Sequence, residues 1–402
     1  MANKKFIPGL EINRKFYKEV VGPLLRKKFP KLKHSAALTG NGSDVLGFDT
    51  KTSMDHNWGP RMVLFLDEKN FEKISSEVDR MFRENLPYTF MGYSTNYTDP
   101  QYPFYLDREP IYIDEGLVNH YIQIFTIRGF FRHFLSFDPY KEVTYKDWLT
   151  FPEQALIEAT AGEIYHDDLG LKKIQDKFRY YPDDIWMYVY WAQWDKIASE
   201  EAFVGRAMEL NNELGGRIIV ASIISHIIKL TFLMEKQYEP YNKWAGYAFS
   251  KLKSGKKLEP ILLKAMRSNS WGGIQAALGE AYKIIAKMHN NLKITEPMQT
   301  SLSDYNGRPY NVIHAGKVNK MIFEKLKPEF KRLKHHLGAV DQFTSHARIH
   351  HMGVIGDTFK EFIGESHPKL DKGSIHKLMP IEGKTKSKKP GKNKKSPSNK
   401  KR

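Results

Sequence analysis

The chain contains no cysteine, which excludes a disulfide framework, a thiolate metal site and a thiol nucleophile. It also lacks a long uninterrupted apolar run. The greasiest stretch, residues 218–234, is broken by Ser222, Ser225, His226 and Lys229, whereas a bilayer-spanning helix needs about 20 apolar residues with few charges. That stretch reads as a buried bundle helix. The opening residues, MANKKFIPGLEINRKFY, carry no apolar core of signal-peptide length, and no internal repeat is visible. A soluble, cytoplasmic protein with no membrane contact is expected.

Acid is missing from the end of the chain. Residues 384–402 hold ten Lys or Arg and no Asp or Glu, so the net charge of +17 falls to 17 − 10 = +7 for the remainder. Residues 366–402 are expected to form a disordered basic tail, since their last stretch, 384–402, has no apolar residue to enter a core. Such a tail could grip nucleic acid or another polyanion loosely and in a salt-sensitive way. A merely solubilising tail is the commoner case.

What is present is 41% hydrophobic and 13% aromatic residues over 402 positions, enough for two domains with cores of their own. Helical spacing runs through 10–29 up to Pro30. A short strand, Ala36 to Leu38, precedes a Gly42-Ser43 turn, and a second strand follows from Met62 to Leu66. Asp67 is placed to cap a helix reaching about Asn85. Residues 86–110 read as a long aromatic connection, 117–126 as a third strand, and Ile164-Tyr165 as a last short one. Beyond Pro182 helical segments dominate: 183–213, 214–236, 240–253, 258–267, 271–291 and 311–327. The expectation is an α+β fold: a small mixed-sheet domain over 1–180, then an all-helical bundle over 181–365.

The chemistry concentrates in GSDVLGFDTKTSMDHNWGPRMVLFL, residues 42–66. A small-residue turn lets backbone N–H groups approach phosphate oxygens. Carboxylates two apart hold a metal that neutralises charge in phosphoryl chemistry. The order of Gly-Ser, acid and strand resembles the nucleotidyltransferase superfamily. The blocks FIPGLEINRKFY, GSDVLGFDTKTSMDHNWGPR, FPEQALIEATAG, YPDDIWMYV, EEAFVGR, YNKWAGYAF, HNNLKIT and AVDQF are similar to a bacterial family catalogued as domain of unknown function 4037, itself placed in that superfamily.

The resemblance implies that Gly42 and Ser43 cradle NTP phosphates and that Asp55 holds magnesium, at a weak or single site. Asn57 and Gln123, in the Ile122-Gln123-Ile124 triplet, stand where two further carboxylates are expected. A glutamine can orient a hydroxyl but cannot take its proton. Lys243 would counter the triphosphate from the helical half, and Arg61 would contact phosphate or brace Asp55. Asp44, Asp49, Asp114 and Glu115 are the acids that could replace the missing ones. The implied activity is transfer of NMP to a hydroxyl of a small molecule or a protein; a catalytically degenerate nucleotide or polyanion binder is the alternative. Histidines at 335–336 and at 346, 350 and 351 read as surface residues rather than a metal site.

Overall fold

The structure is a computed structural model that describes residues 6–99, 107–344 and 356–364. The tail over 366–402 and the three histidines at 346, 350 and 351 lie outside these residues. The first half reads α1 (Gly9–Phe16), a π-helical turn (Tyr17–Val21), α2 (Gly22–Lys28), β1 (His34–Leu38), β2 (Arg61–Leu66) and α3 (Glu68–Asn85). It continues with β3 (Thr89–Phe90), β4 (Tyr93–Ser94), β5 (Tyr121–Phe125), α4 (Ile127–Leu135), α5 (Tyr145–Thr150), α6 (Glu153–Thr160), β6 (Glu163–Asp167) and α7 (Leu171–Phe178). Asp67 caps α3 by accepting from the Lys69 N–H, as its position before the apolar periodicity predicts.

Four strands form one mixed sheet in the order β5-β2-β1-β6. β1 is antiparallel to both neighbours, and β2 is parallel to β5. This topology has a direct consequence for chemistry. The C-terminal end of β1 and the N-terminal ends of β2 and β5 lie at the same end of the sheet, since Ala37 pairs with Val63 and Arg61 with Tyr121.

Alternation splits the central strands between two cores. Ala36, Met62, Leu64, Leu66 and Ile122 pack with α1, α2 and α3. Ala37, Val63 and Phe65 pack on α4 and α6, in a core that continues without a break through Phe178, Tyr181, Ile185 and Trp186 into the helical half. The family of helices there is α8 (Asp183–Glu200), α9 (Phe203–Glu209), α10 (Glu213–Met234), α11 (Asn242–Lys251), α12 (Gly255–Arg267), α13 (Trp271–Leu292) and α14 (Ala315–Lys325). α8 is apolar on nearly every side and runs through the middle of the bundle. α10 is long and apolar enough to cross a membrane by length and composition, yet 56% of that window is buried inside the protein, the placement of a core helix.

Two expectations need correction. The second half is not all-helical: β7 (Ser303–Tyr305) and β8 (Arg308–Val312) form a hairpin. Its turn is Asn306-Gly307, both at positive φ, the pairing that a tight hairpin demands. The helix expected over 183–213 breaks after Glu200. There the buried Glu201 carboxylate turns away to accept the backbone N–H groups of Ile313 (3.0 Å) and Ala315 (2.9 Å). Burial pushes that carboxyl up to about 7, against these hydrogen bonds.

Candidate functional site

The segment after β1 turns sharply because two glycines take conformations closed to other residues. Gly40 has φ +92° and Gly42 φ +131°. A Cβ on Gly42 would lie 2.2 Å from Arg61 Nη2 and 2.4 Å from Asp44 Oδ1, so space and backbone both require glycine. The turn is pinned to α6, with the Gly40 N–H and Thr39 Oγ1 both donating to the Glu158 carbonyl (2.8 and 3.1 Å).

Beneath the turn lies a buried ion pair. Arg61 Nη2 is 2.6 Å and Nε 3.2 Å from the two Asp44 oxygens, and Nη2 also donates to the Asn41 carbonyl at 2.6 Å. Asp44 is 0% and Arg61 3% exposed. Burial pushes the Asp44 carboxyl up and the guanidinium opposes that push. Arg61 is thereby committed to bracing the turn from below, through Asp44 rather than Asp55. Asp49 is likewise occupied, accepting the N–H groups of Gly9 (2.7 Å) and the Trp58 indole (2.8 Å). Neither of these acids joins Asp55.

The Trp58-Gly59-Pro60-Arg61 segment is a clasp. Gly59, at φ +115°, leaves room for the Tyr97 hydroxyl, which donates to the Trp58 carbonyl. Just before it, Asp55 is exposed, with His56 Nδ1 3.0 Å from its carboxylate. Slight burial raises the Asp55 carboxyl, but hydrogen bonds from His56 and the backbone outweigh it and hold the group below its ordinary value.

Asn57 has φ +48°, a left-handed conformation that asparagine tolerates well. Its amide nitrogen donates to Asp107 Oδ1 at 2.6 Å. Its amide oxygen accepts from the Tyr121 hydroxyl (2.9 Å) and the Arg108 N–H (3.1 Å), while its own N–H donates to the Arg108 carbonyl (3.0 Å). An aspartate could not donate to Asp107, so this contact explains the amide. Tyr121 lies between two guanidiniums, Arg61 5.6 Å and Arg108 5.3 Å from its ring centre. Gln123 is half-buried two residues further along β5, on the same sheet face as Tyr121 and level with Val63.

Helix α11 closes over the turn. Trp244 and Tyr247 pack on Phe48 at 5.8 and 5.0 Å between ring centres. Lys243, on the same helix, is exposed, with its ammonium 5.0 Å from the half-buried Trp244 ring. The Tyr241 phenol, raised chiefly by burial, is within electrostatic reach of both Glu158 and Asp107.

The structure brings Gly42, Ser43, Asn57 and Arg61 to one end of the sheet, through the Arg61–Asp44 pair and the Tyr121 hydroxyl, with Asp55 in the exposed loop beside Asn57; Gln123 lies two residues further along β5, and Lys243 is on the separate helix α11. It adds two acids that sequence reasoning missed. Asp107 arrives from a loop 50 residues away, and no local pattern announces it. Glu158 is buried on α6; in the amide orientation that satisfies both groups, Asn41 donates to both of its oxygens at 3.2 Å. Its signal was a carboxylate among apolar neighbours in LIEATAG. Elsewhere, His34, His166 and Asp168 cluster at the opposite end of the sheet, but the two imidazoles stack face to face at 4.4 Å. Near-parallel planes do not let two rings direct lone pairs at one ion. His335 stacks on Phe362, and His336 packs edge-on against Trp191.

A family model described as "Domain of unknown function (DUF4037)" matches residues 148–245. The match runs from within α5 to the start of α11, so it includes Glu158 and Lys243 and excludes the Gly-Ser turn, Asp55, Asn57 and Gln123. No curated protein and no solved structure matches the chain.

Proposed function

We propose that this protein is nucleotidyltransferase-like: it binds an NTP with magnesium, and its chemistry is transfer of NMP to a hydroxyl of a small molecule or protein, with pyrophosphate leaving. The observation that supports this reading is topological. A braced, glycine-shaped turn, an acid-bearing loop and the start of a parallel neighbour strand all meet at one end of a mixed sheet, with a lysine-bearing helix across from them. Exposed backbone N–H groups in such a turn suit anionic oxygens.

Asp55 and Asp107 offer the hard oxygen donors that magnesium prefers, and two carboxylates plus phosphate make an ordinary magnesium set. A bound ion would neutralise charge on the transferring phosphoryl group. Gly42 and Ser43 would hold the phosphates, Lys243 would face them, and Asn57 would hold Asp107 and Tyr121 in position. Arg61 contributes from beneath, by fixing the turn.

A degenerate catalyst is favoured by one specific feature. Asn57 and Gln123 are amides, and neither can accept a proton, so removal of the acceptor proton lacks a base at both positions. Binding with slow transfer is the outcome we expect. A protein handling NTP without cysteine belongs naturally in the cytoplasm. The reading is tested by thermal shift with ATP and GTP, with and without magnesium. NTP binding only the native state should raise the midpoint in the wild type, and Asp55→Ala should remove the magnesium-dependent part. Equal shifts in both proteins would overturn it.

A further inference from the structure

We propose that the free edge of β5 is a docking strand for an extended acidic polypeptide. Among the described residues β5 is the last strand of the sheet, bonded only to β2. The Ile122 N–H leaves the ladder and bonds His120 Nδ1 at 3.2 Å. Strand alternation then turns the peptide groups of Ile122 and Ile124 away from β2. Sheet edges are usually protected by charge, proline, a bulge or a covering element. The Tyr-Ile-Gln-Ile-Phe sequence of β5 has no charge and no proline, and its register with β2 has no bulge.

Opposite this edge stands α3, whose Phe71, Ser75, Asp79 and Arg83 recur every four residues and so form a ridge inclined to the helix axis along the groove. Between ridge and strand runs an open groove of about 680 Å³. Leu117, exposed and apolar, sits at its rim. With the Ile122 N–H already taken by His120, the carbonyl of Ile122 and the peptide groups of Ile124 are left to offer a peptide main-chain hydrogen bonds along one side, and the groove gives side-chain contacts along the other, the two components of recognition by strand addition.

The charge of the groove selects the occupant. Asp79 accepts a hydrogen bond from His120 at 3.3 Å and is charge-paired with Arg83 at 2.7 Å, and these partners hold its carboxyl at about 2. Arg80 and Arg108 are left as surplus positive charge, and Arg80 has no ion-pair partner among the described residues. An acidic strand complements them.

The groove also leads somewhere. Tyr121 and Gln123 line it and belong to the candidate site, so a peptide added to β5 runs toward the Gly-Ser end of the sheet. On the nucleotidyltransferase reading, this polypeptide is the hydroxyl-bearing acceptor; that role rests on the reading, whereas docking itself does not.

Docking is tested on the full chain by fluorescence anisotropy, without nucleotide, using a labelled eight-residue peptide of alternating glutamate and valine. The control alternates glutamate and proline, with the same charge and no N–H on alternate residues to pair with an edge. The first peptide should bind at least about tenfold more tightly than the second. Arg80→Glu and Leu117→Glu, both at exposed positions, should each weaken it by about fivefold. The basic tail attracts both peptides equally and is insensitive to these substitutions, so it cannot imitate the result. Equal binding of the two peptides would show a polyanion surface only and overturn the proposal, as would no binding at all. NTP thermal shifts on the same variants should match wild type, so a failure of docking is distinguishable from a failure of the nucleotide reading.

Discussion

Replacing Arg61 by methionine isolates the device that holds the candidate phosphate turn. The substitution keeps an apolar stem of similar length and removes the only cation in contact with Asp44 among the described residues; the Asp44 carboxylate is fully buried. Breaking a buried pair by deleting one partner costs about 3–5 kcal/mol, because the remaining charge is left without water or countercharge. The lost bond from Nη2 to the Asn41 carbonyl adds about 1 kcal/mol. Against a total stability of about 5–15 kcal/mol this is a large fraction.

The loss should depend on pH. Without Arg61, burial and the nearby Asp49 act on Asp44 against the Val45 N–H bond only, and raise its folded pKa further above the unfolded value. A group raised in this way favours folding below its unfolded pKa and loses that contribution as pH climbs through the folded value. Arg61→Met should therefore be closer to wild type at about pH 5 than at about pH 8. Adding Asp44→Asn should recover about 2 kcal/mol or more, since the uncompensated charge is gone. Urea denaturation of the wild type, both single variants and the double variant at the two pH values reads all of this. A single-variant loss under about 1 kcal/mol, independent of pH and additive with Asp44→Asn, would refute the brace.

Four further outcomes follow from the same geometry. Gly42→Ala should lower stability by about 1–3 kcal/mol through strain at positive φ and contact with Arg61, and it should abolish NTP-induced thermal shifts. Asn57→Asp would set a carboxylate against Asp107 where a 2.6 Å hydrogen bond now stands; it should destabilise the protein in chelator and respond to magnesium with a larger melting shift than wild type. Glu201, pushed up to about 7 by burial, stabilises the fold when protonated and loses that contribution as pH rises from its unfolded value through about 7; Glu201→Gln should remove up to about 3 kcal/mol of this pH dependence from denaturation curves at about pH 5 and about pH 8. Deleting residues 384–402 removes ten positive charges, so nonspecific polyanion affinity and its salt dependence should fall in filter-binding assays while NTP shifts stay unchanged.

Much of the fold was legible because its determinants are local. The all-apolar run Met62 to Leu66, the Asp67 cap and the glycine turn each carry their reason within a few residues. Helix ends in the second half were less readable where a tertiary contact decided them, as Glu201 does by reaching across to residues 313–315. The β7–β8 hairpin did leave a local mark in Asn306-Gly307, which the surrounding helical patterning obscured. The candidate site divides in the same way. Gly42 and Ser43 were visible from composition and order, whereas the pairing of Asp44 with Arg61 depends on the antiparallel register of β1 and β2. Asp107 beside Asn57 depends on a loop that returns after 50 residues, and it changes the meaning of the asparagine from a lost carboxylate to a group holding one.

The central claim is that triphosphate binds at the Gly42-Ser43 end of the sheet. A crystal structure with a non-hydrolysable ATP analogue and magnesium measures this directly. The account predicts phosphate oxygens against the backbone N–H groups of that turn, the metal at Asp55 or Asp107, and Lys243 on the facing side. Nucleotide bound elsewhere, such as along Arg80 and Arg83 in the α3 groove, with the turn unengaged, would contradict it.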